Sequence, residues 1–436
     1  MTPQKLLSPS VLAFHLLLVA LFLGYALVFG PPKPEQIQVP FKALKAVSEK
    51  EKDKINSSAT LPIDKSVLLT ETRPGSMSHK SFFLKDGRTW GRLENSWTAQ
   101  LTIDDRVQKA SSYHFSKSKA AMGALALVEI KTGRVIGLSE YINPNHSVTK
   151  LLKPSQEVHL GLQSIAPSVG VFRLVTAAAL LKAGVSPLKR FCYNKFKAIN
   201  LKSHHLQPVD SGNCNHLNEA FPTTDNSYLA SVSHQQLTAD KLKKMALNMG
   251  FDRRFSYFGL PYELSVAYVP SDPVQRAKTA LGIEGSKMNV LHAAMLMGAI
   301  AGDGTLKSPR LVEKIHNEDG KEIEAPEFSP MAEGMSPSSA ARLRRMMKLA
   351  IEEPPTGKVF ANWPQKLNNM RVAGQSSVRT IRRPSFVRYT WFIGYVPAQA
   401  PQWAVAVMIV NHERWFVRAL DIAHRVLKDV LSQFDE

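Results

Sequence analysis

One apolar segment near the start of the chain restricts the possible folds most strongly. The 20 residues from Val11 to Gly30 read VLAFHLLLVALFLGYALVFG and contain no Asp, Glu, Lys or Arg. This is about the length that a helix needs to cross the hydrocarbon core of a bilayer. Pro31, Pro32 and Pro34 follow, and no small-residue cleavage site does. We therefore predict an uncleaved single-pass anchor after a short tail (1–10), with a cleaved signal peptide as the alternative.

The charge of the chain indicates an anionic partner or surface. The 436 residues include 55 Lys and Arg against 36 Asp and Glu, which gives a net charge of +19. Charge alone does not choose between nucleic acid, phospholipid and cell-wall polymer. The predicted anchor places everything after residue 30 outside the cytoplasm. We therefore predict no nucleic-acid partner.

Beyond the anchor, the composition separates a polar connection from a folded domain. Residues 31–97 are predicted to be a linker or stalk, although their last part carries enough aromatic residues to pack against another surface. From 98 to 436 the pattern is mixed α/β. Apolar runs predict strands over 123–130, 135–141, 390–396 and 403–410, and helices over 171–184, 288–305 and 415–431. The predicted class is α/β (α+β), an antiparallel sheet flanked by helices, with an all-helical subdomain between about 185 and 300.

The two cysteines and the histidines offer little chemistry of their own. Cys192 and Cys214 could pair in an oxidising compartment, and two unrelated thiols are the alternative. The sequence has no HExxH motif, no compact set of metal ligands, and no P-loop or dinucleotide fingerprint. We therefore predict no metal site and no cofactor.

Seven segments, in order and at the right spacing, resemble the transpeptidase domain of penicillin-binding proteins. They are LTIDDRVQKA (101–110), GALALVEIKTGRVIG (123–137), IAPSVGVFRLVTAAALLKAG (165–184), LNEAFPTTDNSYLA (217–230), ALGIEGSKMNVLHAAMLMGAIAGDGTLKSPRLVEKI (280–315), RVAGQSSV (371–378) and WFIGYVPAQAPQWAVAVMIVN (391–411). The resemblance implies a β-lactamase/transpeptidase-like fold over 98–436. It also implies a serine acyl-transfer site built from three motifs.

The first of these motifs has lost its chemistry. In S-x-x-K a serine begins a helix, and a lysine three residues later on the same face activates it. The resemblance aligns Gly170 with that serine and Arg173 with that lysine. Glycine has no nucleophile, and arginine stays protonated and cannot act as a base.

The second motif is partly kept and the third is not. Thr224 and Asn226 align with S-x-N and preserve a hydroxyl and an amide. Gln375, Ser376 and Ser377 align with K-T-G, whose cation and hydroxyl position the substrate's backbone and carboxylate in the family. The cation and the turn-permissive glycine are both absent, so we predict no catalytic residue among these degenerate positions.

Other serines do not obviously replace the missing nucleophile. Ser168 lies two residues from position 170, about 200° around a helix, and is interpreted as the N-cap of the helix that follows. Three S-x-x-K matches occur elsewhere, at Ser116/Lys119, Ser147/Lys150 and Ser186/Lys189. Three is what chance gives for so short a motif.

A basic run after the third motif has two interpretations. Arg379, Arg382, Arg383 and Arg388 lie within VRTIRRPSFVR. They form either a solvated basic loop or a site for a peptide carboxylate or a wall phosphate.

These observations give three functional hypotheses. The first is a non-catalytic, penicillin-binding-protein-like component of cell-wall synthesis that binds peptidoglycan or wall-synthesis proteins. It would be anchored in the inner (cytoplasmic) membrane through Val11 to Gly30, with its domain facing the periplasm or the outside. The second is an active transpeptidase or carboxypeptidase with an unconventional nucleophile. The third is a fold reused for an unrelated extracytoplasmic ligand.

Overall fold

A computed structural model describes residues 82–85, 88–92, 97–149, 160–197, 200–253, 265–324, 330–382, 386–412 and 417–434. They belong to one compact unit that spans Lys65–Glu436. The predicted tail and the predicted anchor over Val11–Gly30 lie outside the described residues. Among the helices that are described, none has both the length and the apolar character required to cross a bilayer.

The described residues form fifteen strands and ten helices. The strands are β1 (Phe82–Lys85), β2 (Arg88–Arg92), β3 (Thr98–Leu101), β4 (Met122–Glu129), β5 (Val135–Ile142), β6 (Ala166–Pro167), β7 (Phe191–Tyr193), β8 (Asn213–Asn215), β9 (Val266–Ala267), β10 (Ser286–Met288), β11 (Val312–His316), β12 (Glu322–Glu324), β13 (Ala373–Ile381), β14 (Val387–Val396) and β15 (Trp403–Asn411). The helices are α1 (Asp105–Ser116), α2 (Phe172–Lys182), α3 (Leu217–Ala220), α4 (Asn226–Gln236), α5 (Ala239–Asn248), α6 (Pro273–Ala280), α7 (Val290–Ala301), α8 (Pro337–Ala350), α9 (Thr356–Phe360) and α10 (Ala419–Phe434). Two 3₁₀ turns lie at Ser203–Leu206 and Gln365–Met370.

The main sheet is antiparallel and has the order β13-β14-β15-β4-β5. Its strands come from the two ends of the domain. Strand β15 pairs with β4, and Ala406 lies opposite Ala126. The four apolar runs predicted as strands form β14, β15, β4 and β5 of this sheet, which confirms the antiparallel sheet. Strand β13, which carries the third motif, lies at one edge.

The two faces of this sheet carry side chains of different size, as the period of two in a strand allows. One face presents small side chains, and helix α7 packs closely on it, so that a Cβ on Gly298 would meet the Cβ of Ala404 at 3.8 Å. The other face presents larger side chains that pack against α1 and α10. The small residues are Ala124, Ala126, Ala404 and Ala406, and the larger ones are Leu125, Leu127, Val405 and Val407. Each fully buried Leu or Val contributes about 1.5–3 kcal/mol.

A second sheet shows that the folded part begins earlier than predicted. Its order is β1-β2-β3-β11-β12, and Trp90 pairs with Gln100 across β2 and β3. The indole of Trp90 is buried. The predicted linker over 31–97 therefore ends too late, because residues 82–85 and 88–92 form strands of this sheet.

The region predicted to be all-helical also contains short strands. Helices α3 to α7 lie between about 185 and 300, as expected, but β7 pairs with β8, and β9 and β10 form a small sheet with β6, which lies before this region. In the β7–β8 pair, Cys192 lies directly opposite Cys214. The strands are two or three residues long, too short to show the alternation from which a strand is predicted.

Candidate functional site

All three motif segments meet at one cavity of about 320 Å³. It lies where the start of α2, the start of α4 and the edge strand β13 come together. All seven predicted motif residues line it, namely Gly170, Arg173, Thr224, Asn226, Gln375, Ser376 and Ser377. The structure thus brings together residues that lie up to about 200 positions apart in the sequence.

The side chain of Ser377 fills the space next to Gly170. The backbone of Gly170 has φ of +75°, which an L side chain rarely adopts. A Cβ added there would overlap both the Cβ and the Oγ of Ser377. The hydroxymethyl group of Ser377 therefore fills the position that a nucleophilic side chain on residue 170 would require.

Side chains of the third motif bind the segment before α2 at the wall of the cavity. The Nε2 amide of Gln375 donates to the carbonyl of Gly170 at 2.9 Å, and Gln375 is buried. The Oγ of Ser377 donates to the carbonyl of Val169 at 2.7 Å. On the opposite face of the strand, the hydroxyls of Ser376 and Thr356 lie 2.8 Å apart. The hydrogen bonds of Gln375 and Ser377 hold β13 against the start of α2.

Arg173 is a buried cation. Its side chain is 2% exposed, Nη2 donates to the carbonyl of Phe221 at 3.0 Å, and the guanidinium lies 5.1 Å from the centre of the Phe221 ring. Burial lowers the pKa of Arg173 to about 10, and the nearby charge of Asp225 opposes this shift. The group therefore stays protonated at neutral pH and cannot accept a proton from a hydroxyl.

The second motif is held by a helix cap. Asp225 caps α4 by accepting from the backbone N–H of Tyr228 at 3.0 Å. Its second carboxylate oxygen accepts a hydrogen bond from the Tyr193 hydroxyl. Burial and this hydrogen bond raise the pKa of Tyr193. Thr224 has φ of +61° and is exposed, and Asn226 begins α4 beside the cavity.

The cavity offers hydroxyls without a partner base. Among the described residues that line it, none is a lysine or a histidine. Glu353 is acidic and half-buried, but no hydrogen bond found in the described part of the chain joins its carboxylate to a hydroxyl of the cavity. Activation of a serine requires a base within hydrogen-bond reach. No such base is found among the described residues that line the cavity.

The alternative serines lie elsewhere. Ser168 is fully buried, and its Oγ lies 2.5 Å from the Oγ of Ser286. Its predicted role as an N-cap is wrong, because α2 begins after Val171 without a side-chain cap. The reason is that the hydroxyl of Ser168 is taken by β10. Ser116 and Ser186 are exposed and do not line the cavity, and Lys150 lies outside the described residues.

The four arginines do not form one cluster within the described part of the chain. Arg379 lies 3.9 Å from the Glu284 carboxylate. Arg388 donates to the Thr380 hydroxyl and lies over the Phe386 ring. Since residues 379 and 380 are successive in β13, these two arginines lie on opposite faces of the sheet. Arg382 is exposed, and Arg383 lies outside the described residues.

Cys192 and Cys214 form a disulfide that links β7 to β8. The neighbouring Tyr193 is the residue that bonds Asp225, so the bridge braces the wall that carries the second motif.

Tyr193 and Trp391, whose Nε1 donates to the carbonyl of Pro167 at 2.9 Å, were not predicted as site residues. No sequence pattern marks either of them. The described residues contain no group of three or more potential metal ligands.

Fold and site together define the class of protein. A family profile described as penicillin-binding protein transpeptidase domain matches residues 123–432. The chain therefore belongs to the penicillin-binding protein transpeptidase family.

Curated relatives come from mycobacteria. The chain is 26% identical to penicillin-binding protein PbpB of Mycolicibacterium smegmatis, over 73% of this chain and 51% of that protein. It is 24% identical to the peptidoglycan D,D-transpeptidase PbpA of the same organism, over 73% of this chain and 68% of PbpA. The chain thus spans about half the length of PbpB.

Solved structures share the fold at low identity. The crystal structure of PBPA from Mycobacterium tuberculosis has a TM-score of 0.61 at 22% identity, and the match covers 76% of this chain and 80% of PBPA. The D,D-transpeptidase domain of a peptidoglycan glycosyltransferase from Eggerthella lenta has a TM-score of 0.61 at 21% identity, with 77% and 83% covered. These similarities confirm the transpeptidase-like fold.

Proposed function

We propose that this protein is a non-catalytic member of the penicillin-binding protein family. It acts as a peptidoglycan-binding, scaffold or regulatory component of cell-wall synthesis rather than as an acyltransferase. The anchor predicted over Val11 to Gly30 places it in the inner (cytoplasmic) membrane as a single-pass protein, with the domain facing the periplasm or the outside. Its partners are peptidoglycan or the proteins that synthesise it.

The observation that carries this proposal is that Ser377 occupies the position that a side chain on residue 170 would take. Loss of a side chain at residue 170 alone would leave an empty cleft. Here the hydroxymethyl group of Ser377 fills that space, and Gln375 and Ser377 bond the carbonyls beside it. These contacts support the interpretation that position 170 no longer carries a nucleophile.

Ser377 also supports the second candidate function, an active transpeptidase or carboxypeptidase with an unconventional nucleophile. Its Oγ lies close to where the family nucleophile would be. The hydroxyl donates its proton to the Val169 carbonyl, however, and a carbonyl cannot remove that proton. Arg173, the nearest cationic replacement for the family lysine, is protonated. Ser377 therefore lacks the base that a nucleophilic serine needs.

Labelling with a fluorescent penicillin tests the proposal. The 436-residue chain, purified in detergent, is incubated with the probe, and covalent adducts are read on a denaturing gel. PBPA of Mycobacterium tuberculosis, whose structure has been solved as a penicillin G acyl-enzyme complex, serves as the positive control. We expect an adduct on PBPA and none on this protein.

An adduct on the wild-type protein would overturn the proposal. The variant Ser377→Ala then identifies the nucleophile. If the adduct disappears in Ser377→Ala, the protein is an acyltransferase with its nucleophile on β13. If it persists, another serine reacts. A second experiment measures binding to purified peptidoglycan and to wall-synthesis enzymes. An absence of binding to both would refute the proposed wall role without refuting the proposed loss of catalysis.

A further inference from the structure

One stretch of the domain carries very little negative charge. From residue 334 to residue 412 the sequence contains eleven Lys and Arg against two acidic residues, Glu352 and Glu353, which gives a net charge of +9. The whole chain has a net charge of +19. Nearly half of the positive excess is therefore concentrated in this stretch, which includes helix α8.

Three of these cations lie on the outer face of α8. Arg342, Arg345 and Lys348 follow each other at intervals of three residues, which places neighbouring side chains on the same side of a helix. Arg342 and Arg345 are exposed. None of the three forms an ion pair within the part of the chain that the structure describes. Like charges at this spacing repel each other and destabilise a helix, so an anion bound along this face would relieve the repulsion.

A second cavity, of about 560 Å³, lies at the end of this face. Lys348 lines it together with Arg371, which is exposed and has no ion-pair partner among the described residues. The turn between β14 and β15 connects the two cations, because Lys348 donates to the Gln399 side chain at 3.0 Å and the Ala398 N–H donates to the Arg371 carbonyl at 2.6 Å. Glu352 is the acidic residue of the described lining, which leaves the lining net positive. Arg371 therefore continues the row of cations into the second cavity.

The remaining lining of the second cavity suits a sugar unit. The side chains of Asn368 and Asn369 are exposed and make no hydrogen bond within the described part of the chain, so their amides can bond hydroxyls. Phe360 and Trp363 add aromatic surface. The indole N–H of Trp363 donates to the Leu367 carbonyl at 3.1 Å and the two rings lie 5.5 Å apart, which fixes their positions. Aromatic surface with a few free polar groups is typical of a ligand site, and a sugar ring offers C–H groups to the first and hydroxyls to the second.

We infer that the outer face of α8 and the second cavity together bind an acidic polysaccharide. Its anionic groups lie along Arg342, Arg345 and Lys348, a row about 9 Å long on the helix axis, and a sugar unit enters the cavity beside Arg371. Cations in a row match the repeated charges of a linear polymer. A flat lipid surface would meet the helix face but would not fill a cavity. The inference rests on the proposed function, since it names the chemical class of the wall component that the protein holds.

Binding of defined oligomers tests the inference. Fluorescence anisotropy of the full chain in neutral detergent is measured with three labelled probes of equal length: oligogalacturonate, which carries both sugar rings and charge, oligoglutamate, which carries the charge alone, and a neutral maltodextrin. We expect oligogalacturonate to bind about tenfold more tightly than oligoglutamate, and the maltodextrin more weakly than both. Raising NaCl from about 50 to 200 mM should weaken the binding of both charged probes, because salt screens exposed charges.

A triple variant assigns the charge to the α8 face. In Arg342→Gln/Arg345→Gln/Arg371→Gln we expect the Kd for oligogalacturonate to weaken about tenfold or more and the salt dependence to decrease. The three side chains are exposed and unpaired, so the melting temperature should not fall. The matched control is Lys241→Gln/Lys243→Gln/Lys244→Gln, which removes the same charge from three exposed lysines of α5 and should keep wild-type affinity.

A double variant separates the sugar contacts from the charge. Asn368→Ala/Asn369→Ala leaves every cation in place and removes two exposed amides that make no hydrogen bond within the described chain. We expect it to weaken the binding of oligogalacturonate several-fold and to leave both oligoglutamate binding and the salt dependence unchanged.

Several outcomes would overturn the inference. Equal affinities for oligogalacturonate and oligoglutamate would refute a saccharide site and favour an acidic protein segment. Binding to vesicles with anionic lipids but not to oligogalacturonate would assign the face to a membrane surface. Wild-type affinity in the arginine variant, or an equal loss in the lysine control, would show that net charge alone is measured. The penicillin experiment reads a different event, so an adduct there refutes the proposed function, whereas a failure of oligogalacturonate to bind refutes only this inference.

Discussion

Ser377 occupies the space that a side chain on residue 170 would need. The two residues lie 207 positions apart in the 436-residue chain, and β13 brings them into contact at the start of α2. Compared with the family pattern, the small and the hydroxyl-bearing residue have exchanged places, since serine is expected at 170 and glycine at 377. The exchange places a hydroxyl on β13 beside residue 170 and leaves none on residue 170 itself.

This relationship predicts an energetic coupling between the two positions. Gly170→Ser should lower the free energy of unfolding by about 2–4 kcal/mol, since it combines an unfavourable positive φ with overlap against Ser377. Ser377→Gly should lower it by about 1–2 kcal/mol through the lost hydrogen bond to Val169. The double variant should be more stable than the sum predicts, by about 1–3 kcal/mol. Urea unfolding of all four proteins measures the coupling.

Gly184 provides the control for this cycle. It also has positive φ, +85°, but no atom lies within 4 Å of the position where its Cβ would be. Gly184→Ser therefore carries the backbone penalty without the overlap, and its effect should add to that of Ser377→Gly. Additive effects at residue 170 as well would show that Ser377 does not fill the nucleophile position.

The fold could be predicted because its main elements carry local signals. The strand run over 403–410 and the helix run over 288–305 are long and apolar, and they became β15 (Trp403–Asn411) and α7 (Val290–Ala301). The residues of the three motifs were found through the family resemblance, and the structure places all of them at one cavity.

What could not be predicted depends on contacts between distant segments. No local pattern shows that the hydroxyl of Ser168 binds Ser286 instead of capping α2, or that Ser377 faces Gly170. Which face of the sheet each arginine occupies depends on the register between β13 and β14, where Thr380 lies opposite Arg388. Each of these features follows from side-chain packing across the fold, which sequence periodicity does not encode.

His292 should make the protein less stable in mild acid. It is fully buried in α7, its Nε2 bonds the Met249 carbonyl at 2.8 Å, and its Nδ1 has no partner. Burial lowers the pKa of His292 from 6.5 to about 4. The unfolded chain takes up a proton at this residue below about pH 6.5, and the folded protein does so only near pH 4. The stability contributed by the neutral ring is present above pH 6.5 and is lost as the pH falls to 4.

Urea unfolding at pH 7 and pH 4 measures this effect. The pKa shift corresponds to about 3 kcal/mol. The loss of stability between pH 7 and pH 4 should therefore be about 3 kcal/mol smaller in His292→Gln than in the wild type. The amide of this variant can still donate to the Met249 carbonyl. The exposed His204 provides the control, and His204→Gln should follow the wild-type pH dependence. An unchanged pH dependence in His292→Gln would mean that the ring is protonated in the folded protein above pH 4.

The disulfide between Cys192 and Cys214 should stabilise the subdomain that carries the second motif. It closes a loop with a sequence separation of 22 residues. By the loss of chain entropy in the unfolded state, a loop of this size contributes about 3 kcal/mol. Urea unfolding with and without a reductant should therefore show a loss of about 3 kcal/mol on reduction. The variant Cys192→Ser/Cys214→Ser should show the same loss without reductant and no further response to it. Equal stability of the oxidised and reduced wild-type protein would show that the bridge does not form or does not constrain the unfolded chain, since the entropic gain requires such a constraint.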